Sequence, residues 1–472
     1  MKPRHFPPSH RGKVVALIFG VLSYQLGISM VAPVLPAIAA ELGAPSGATA
    51  GSQALFFLAS GVSSLVAVRL SDYRSRRSVF LAVVLVSAVG SLVVAVAPSV
   101  TLLLLGRTLE GVSGAVFPLT YLVLRETLTP LVFGSTVGLI SAFGGGLFGL
   151  DGLAGGAIRD RFGYRPVFAV VAGVGIIALI LLWRVLPHAT IPRSLRVERF
   201  DSLGAVIVSA AIILLNSGLF VLTTATWPPL FGVILLLCTP LLLVLYAQHA
   251  QSASTPLVVV RLLTSRSIWP FLITTLAGIA GAFATTSYLV VLLAQDLRGG
   301  YGLNSFDTAL FFLIPPAVLA LALAPVSGRL APRLGWILLL RVGLMGSAIA
   351  LAAAALAPNM TLRILAICGL GVCFSGVVLP MINGLSVLLS PVSAPGLLPA
   401  LNGVSVGVGG SLGVALVAPL TAQGSTEGYS EAFWVCAGLL VAAFVASAAL
   451  SMNPPALVPA RGVYDSQRGS VK

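Results

Sequence analysis

Three residues carry the chemistry of water in an apolar setting: Arg107 and Glu110, within GRTLEG, and Asp151, within GLFGLDGLAGG. Residues three apart share a helix face, so Arg107 and Glu110 lie together on one helix. Burial favours the neutral form of a carboxylic acid, and a neighbouring guanidinium favours the ionised form. Two acids that share one arginine are driven towards different protonation states, and such a group can hold one exchangeable proton. The same residues also suit a plainer role, a static ion pair that locks two helices together. The four histidines (His5, His10, His188, His249) fall outside the apolar stretches, and the four cysteines (Cys238, Cys368, Cys373, Cys436) fall inside them without metal-ligand spacing. No metal, no cofactor and no enzymatic site is therefore expected.

The elements that position these residues follow from composition. Of 472 residues 58% are hydrophobic and 8% charged, with a mean hydropathy of +1.06, whereas soluble domains carry about 25% charged residues. This is the composition of an all-α polytopic membrane protein. Stretches of about 20 apolar residues, enough to cross a bilayer, recur at roughly 14–37, 50–70, 79–97, 101–123, 132–157, 166–186, 203–223, 229–247, 269–294, 307–327, 336–357, 361–387, 397–421 and 432–452. They predict fourteen transmembrane helices. The first is too long for a secretory signal and contains Gln25, Pro33 and Pro36, so it reads as a retained span. A charge near the bilayer centre costs about 2.5–3.5 kcal/mol on insertion scales and marks a partnered or functional residue. Only Glu110 and Asp151 are acids well inside the spans. Helix 4 enters near residue 101 and helix 5 leaves near 157, which sets Arg107 and Asp151 at equal depth, about 9 Å at about 1.5 Å per residue. Equal depth permits an Arg107–Asp151 pair if helices 4 and 5 are neighbours.

Charge sets the orientation. All 27 basic residues except Arg107, Arg159, Arg161, Arg165, Arg298 and Arg363 fall at the termini or in connections on one side of the fourteen spans. By the positive-inside rule that side is cytoplasmic, with both termini, in the cytoplasmic membrane of the cell. The net charge of +14 then reads as topology and contact with anionic lipid, with no nucleic-acid partner. Trp183, Trp227, Trp269, Trp336 and Trp434 fall near predicted helix ends, where an amphipathic ring prefers the interface.

At an offset of 260 residues, Arg69-Leu70 aligns with Arg329-Leu330 and Gly111-Val112 with Gly371-Val372. Helices 1–6 and 9–14 then form two related halves with helices 7 and 8 inserted between them. This divides the chain into a first six-helix bundle (1–186), a linker with two extra spans (187–266), a second bundle (267–452) and a cytoplasmic tail (453–472). Parallel six-helix repeats around a midplane site are a transporter architecture.

These features resemble the major facilitator superfamily, and the two extra central helices resemble its fourteen-span drug:proton antiporter branch. After helix 2, VRLSDYRSRR matches the family loop G-x-L-a-D-R-x-G-R-R at Leu70, Asp72, Arg76 and Arg77. In helix 4 the family's R-x-x-q-G-x-g is present as Arg107, Glu110, Gly111 and Ser113, and GGAIRDRFGYRPVF resembles the passage from helix 5 to helix 6. The antiporter pattern of helix 5 is matched by Gly138, Gly155 and Gly156, but its central Gly-Pro is Asp151-Gly152 and its middle glycine is Leu147. The helix-1 acid of the branch is Gly27 here. The resemblance implies the major facilitator fold and a cytoplasmic latch formed by Asp72, Arg76 and Arg77, with Arg125 as a partner for Asp72.

The expected function is secondary active export of an amphipathic organic molecule by alternating access, with the proton gradient as energy source and a monomer as the working unit. Asp151, Glu110 and Arg107 are the expected proton site. Gly111, Gly138, Gly152, Gly155 and Gly156 let helix backbones approach closely. Tyr24, Gln25, Phe117, Tyr121, Phe143, Tyr288, Phe374 and Asn383 are candidates to line the substrate cavity. Facilitated or otherwise driven transport of an endogenous metabolite or lipid is the alternative, and a non-transporting sensor or scaffold is the alternative of another class.

Overall fold

The computed structural model describes residues 10–43, 47–127, 136, 139–140, 143, 150–186, 200–224, 228–253, 256–263, 265–390 and 396–451. Every regular element among them is helical. Among the described residues, thirteen helices are long and apolar enough to cross a bilayer: α1 (Gly12–Ile38), α2 (Ala50–Ser71), α3 (Arg76–Ala95), α4 (Val100–Leu124), α6 (Arg165–Val185), α7 (Ser202–Leu219), α8 (Pro229–Ser252), α9 (Trp269–Gln295), α10 (Ser305–Leu334), α11 (Trp336–Leu356), α12 (Met360–Leu388), α13 (Leu397–Thr421) and α14 (Thr426–Ser447). The remaining expected span, 132–157, is represented by α5 (Leu150–Phe162). That helix runs five residues past the boundary read from hydropathy and ends at Gly163, whose φ of +81° L-residues rarely adopt. Two further boundaries move. Ser425 caps α14 by accepting from the Gly428 amide, so the helix starts earlier and Trp434 stands two turns inside it. At the other side α8 continues to Ser252 and includes His249 in its last turn.

The two six-helix sets pack by one plan. In the first, α1 packs on α6, α3 on α6 and α2 on α4; in the second, α9 packs on α14, α11 on α14 and α10 on α12. Between the sets, α2 lies against α13 and α5 against α10. Individual contacts repeat too. A Cβ on Gly111 would sit 2.3 Å from the Phe56 carbonyl, and one on Gly371 would sit 2.6 Å from that of Pro316. Both pairs are related by 260 residues.

One helix turn further on the repeat length changes, for a reason visible in the backbone. Pro118 lacks the N–H that would bond the Gly114 carbonyl, and the Ser64 hydroxyl donates to it instead (3.0 Å). In the second half Pro380 leaves the Gly376 carbonyl without that donor, and Ser327 supplies it (2.7 Å). These prolines are 262 residues apart. Over Val112–Ala115 the chain tightens to a 3-10 turn, whereas Gly371–Val378 widens into a π-helix. A tighter helix spends fewer residues per unit length and a wider one more, which accommodates the two extra residues.

The inserted helix α7 packs against α8 and α13, and α8 turns Leu230, Leu237 and Leu241 outward, as a lipid-facing helix does. The chain after α8 is then strapped down. Asp201, before α7, accepts from the Leu257 amide (2.9 Å) and the Gly204 amide (2.8 Å) and bonds His249 (2.7 Å). Tyr246 bonds the main chain of Val258. From α2, Arg69 donates to the carbonyls of Leu257 (2.6 Å) and Pro256 (2.9 Å). Burial pushes the Asp201 carboxyl up, but the bonds from His249, Gly204 and Leu257 outweigh it and hold the group below its ordinary range. A depressed carboxylate lends stability that is present above its unfolded-state value and is lost as pH falls through the folded one. Asp201→Asn is thus expected to lower the melting temperature of the purified protein at pH 7, with the gap to wild type closing only below about pH 4; equal melting of the two proteins at pH 7 contradicts this.

Candidate functional site

Proline again sets the geometry. Pro33 cannot donate to the Ser29 carbonyl, and α1 interrupts its α-helical course after Ser29, passing through a 3-10 turn at Ala32–Val34 before Leu35–Glu41. At this break α1 meets both α4 and α5. Arg107 of α4 is fully buried. Its guanidinium donates to Glu110 (2.5 Å), to the Gln53 side-chain carbonyl on α2 (2.6 Å) and to the Gly27 main-chain carbonyl on α1 (2.9 Å), and it stacks on the Phe56 ring at 4.5 Å. Glu110 accepts on its other oxygen from Ser91 of α3 (2.5 Å). The i,i+3 pair expected from the sequence is present. Glycines permit it: Gly90 of α3 lies so close to α4 that an added Cβ would sit 2.5 Å from the Glu110 amide.

The Arg107–Asp151 pair that equal depth would permit does not form. α1 stands between the two helices at this depth, and it serves the two charges separately: the Gly27 carbonyl takes Arg107, and the Ser29 hydroxyl bonds Asp151. Asp151 also accepts from the Gly152 amide (2.8 Å), and it forms no ion pair with any described residue. Buried to 8% exposure, it is a carboxyl with a hydroxyl partner and no cation. Ser29 is bonded in turn by the Gln25 amide (3.2 Å).

Gln25 lines a cavity of about 40 Å³ between the halves, together with Phe283 and Thr286 of α9, Phe312 of α10, and Phe374 and Ser375 of α12. That is room for about three water molecules; a larger solute requires the halves to move. Of the other expected cavity residues, buried Tyr24 and Tyr121 and half-buried Phe117 belong to a run of ring contacts, Tyr121–Phe117–Tyr24–Phe56–Phe57–Phe283–Phe374, that crosses from the first half to the second. Tyr288 and Asn383 are buried in α9 and α12, and Phe143 is helical and half-buried. The polar residues the sequence reading missed are Ser29, Gln53, Ser91, Thr286 and Ser375. Serines and glutamines occur throughout the spans, and only the fold brings these five to the charges and the cavity.

The glycines of α5 differ in what they permit. A Cβ on Gly155 would sit 2.1 Å from the Met30 carbonyl and one on Gly156 2.6 Å from that of Ser305, whereas one on Gly152 would come no nearer than 3.1 Å to the Leu313 side chain and 3.3 Å to the Ser29 carbonyl. Gly138 lies outside the described residues. At the expected cytoplasmic latch, Arg77 is buried, donates to the Trp183 carbonyl and stacks on its ring at 5.8 Å, and Arg76 is half-buried. The side chains of Asp72 and Arg125 lie outside the described residues.

A family model described as Major Facilitator Superfamily matches residues 17–414. The chain is 30% identical over 451 residues to a uridine/deoxyuridine transporter of Lactococcus lactis subsp. cremoris, covering 92% of this chain and 93% of the relative. It is 27% identical over 424 residues to the tetracenomycin C resistance and export protein of Streptomyces glaucescens, covering 87% and 76%. The human organic anion transporter MFSD10 (TETRAN), known from a crystal structure, superposes with a TM-score of 0.65 at 15% identity over 93% of this chain and all of that one.

The geometry separates the two acids. Removing one partner of a buried ion pair costs about 3–5 kcal/mol, so Glu110→Gln is expected to melt far below wild type. Asp151→Asn, which keeps an acceptor for Gly152 and strands no cation, is expected to lose less than about 1 kcal/mol. Thermal melts of both purified variants check this, and equal losses contradict the separate placement of Arg107 and Asp151.

Proposed function

The chain belongs to the Major Facilitator Superfamily and is an integral membrane transporter, not an enzyme, and we propose that it moves a solute of the nucleoside class, a planar heteroaromatic ring with polar substituents, in exchange for protons. The observation that carries this reading is the hydrogen-bonded line from the cavity to a buried carboxyl: Gln25 to Ser29 and Ser29 to Asp151. The cavity is lined by the aromatic side chains of Phe283, Phe312 and Phe374 and by polar groups of Gln25, Thr286 and Ser375. Aromatic side chains suit a planar base, and the few polar groups suit its amide edge and sugar. The uridine/deoxyuridine transporter of Lactococcus is similar along nearly its whole length, in keeping with that class.

In this scheme Asp151 holds the coupling proton. When ionised it accepts the Ser29 proton; when neutral it donates to Ser29, which then turns its own proton to the Gln25 main-chain carbonyl, 2.8 Å away. The state of the carboxyl is thereby felt at the turn of α1 that lines the cavity. Proton and solute occupy the protein in alternate states, which is exchange. The protein works as a monomer in the cytoplasmic membrane, with both termini and most of its basic residues facing the cytoplasm and its anionic lipid. A second reading, export of an amphipathic drug or antibiotic by the same exchange, is favoured by the apolar walls at Ile28, Leu313, Pro316 and Leu370 and by the tetracenomycin C export relative.

The test is transport by the purified protein in proteoliposomes. Vesicles loaded with unlabelled uridine are expected to accumulate labelled uridine by counterflow, and an acid interior is expected to drive net uridine entry as protons leave. No uridine counterflow, with movement of a lipophilic cation such as ethidium, favours the drug reading. Entry driven only by an acid exterior contradicts exchange.

A further inference from the structure

Gln53 lies on α2, in the first half, is fully buried, and has a partner on either side. Its side-chain carbonyl accepts from Arg107 (2.6 Å), and its amide donates to the main-chain carbonyl of Ser287 on α9, in the second half (3.3 Å). The orientation of the amide is chemically forced. A guanidinium only donates and a main-chain carbonyl only accepts, so one end of Gln53 is committed to each. One turn along the same two helices, the Phe57 and Phe283 rings meet in a tilted contact, centroids 5.8 Å apart.

The Ser287 carbonyl belongs to the π-turn Thr285–Leu289, where the main-chain ladder departs from its α-helical pattern. The same turn and its flanks present Phe283, Thr286 and Val290 to the cavity. The cavity lies on one side of this part of α9 and the Arg107–Glu110 pair, through Gln53, on the other. Any movement of α9 relative to α2 changes the Gln53 bond, and Arg107 then loses or regains a fixed partner beside Glu110.

We propose that Gln53 is the positioning residue through which contact between the two halves is reported to the Arg107–Glu110 pair. With α9 seated, Gln53 is held between Ser287 and Arg107, and Arg107 divides its protons among Gln53, Gly27 and Glu110. With α9 withdrawn, the amide is free to turn, Arg107 loses a fixed acceptor, and the guanidinium shifts its bonding towards Glu110. The inference rests on the proton-coupled reading above, because it makes the arrangement of the halves and the protonation of the buried acids depend on each other.

The experiment needs no substrate. Spin labels at Phe162→Cys and Leu297→Cys, both exposed at the ends of α5 and α9, in a background with the four native cysteines replaced, report the separation of the halves in nanodiscs between pH 5 and 8. Wild type is expected to show two distance populations whose log ratio changes with pH, and Gln53→Met to move the midpoint of that change in log ratio by at least one pH unit or abolish it. Gln53→Leu likewise removes both bonds and adds no titratable group; it serves where Gln53→Met does not fold, and its midpoint must move as well. A shift in populations with an unchanged midpoint overturns the proposal, since that is what a mere structural tether gives. A wild-type distribution indifferent to pH removes the proton-coupled reading and this inference with it, whereas pH dependence retained unaltered in both variants removes the inference alone.

Discussion

A guanidinium with no exposure, buried among helices α1, α2 and α4, is the constraint around which the first half is organised. A cation withdrawn from water costs several kcal/mol unless its hydrogens find acceptors. Here the acceptors come from three helices: Glu110 of α4 itself, Gln53 of α2 and the Gly27 carbonyl of α1. The close packing nearby follows from that need. Gly90, Gly106 and Gly111 let α2, α3 and α4 approach until an added Cβ would overlap main-chain or side-chain atoms, and Phe56 lays its ring against the charge. Among its described residues the second half shows no such centre. Its buried arginine, Arg363, bonds the Ala354 and Ala357 carbonyls and the Tyr301 hydroxyl, a helix-end arrangement with no carboxylate. The repeat is kept in the backbone while the chemistry is confined to one side.

Movement of the halves has surfaces suited to it. On α13, Gly403, Gly407 and Gly410 face α2 at Ser64, Gly61 and Phe57, while Gly409 and Gly413 face α9 at the Leu276 and Ala280 carbonyls. One helix therefore presents smooth faces to both halves. Two hydrogen bonds between halves, Gln295 to the Pro33 carbonyl (2.8 Å) and the Phe306 amide to Asp160 (3.0 Å), tie the ends of α9 and α10 to α1 and α5. With the cavity as small as it is, these contacts must part before a solute larger than a few water molecules can enter from that side.

Much of this was legible in the sequence. Hydropathy marked the spans, and the 260-residue offset marked the repeat, because both depend on residue type along the chain. The Arg107–Glu110 pair was legible because i,i+3 spacing is enough to join them on one helix. The Arg107–Asp151 pair failed because depth says nothing about which helix stands between two others, and α1 does. Ser29, Gln53 and Ser91 were invisible for a related reason: a serine or glutamine in a span usually bonds its own helix, as Ser347 does with Gly343, and only tertiary packing distinguishes the few that reach a charge. The shift of the repeat from 260 to 262 residues needed the backbone, since 3-10 and π turns carry no sequence signature as plain as that of a proline.

The claim on which the account turns is that Asp151, without an ion-pair partner among the described residues and joined to the cavity through Ser29, carries the coupling proton. Its direct test is Asp151→Asn in proteoliposomes, with two modes measured on one preparation: exchange of labelled for unlabelled solute, and uphill movement driven by a pH gradient. The account predicts exchange within a few-fold of wild type and no uphill movement, because a permanently neutral side chain lets the halves rock but carries no proton. Full uphill movement by the folded variant contradicts it.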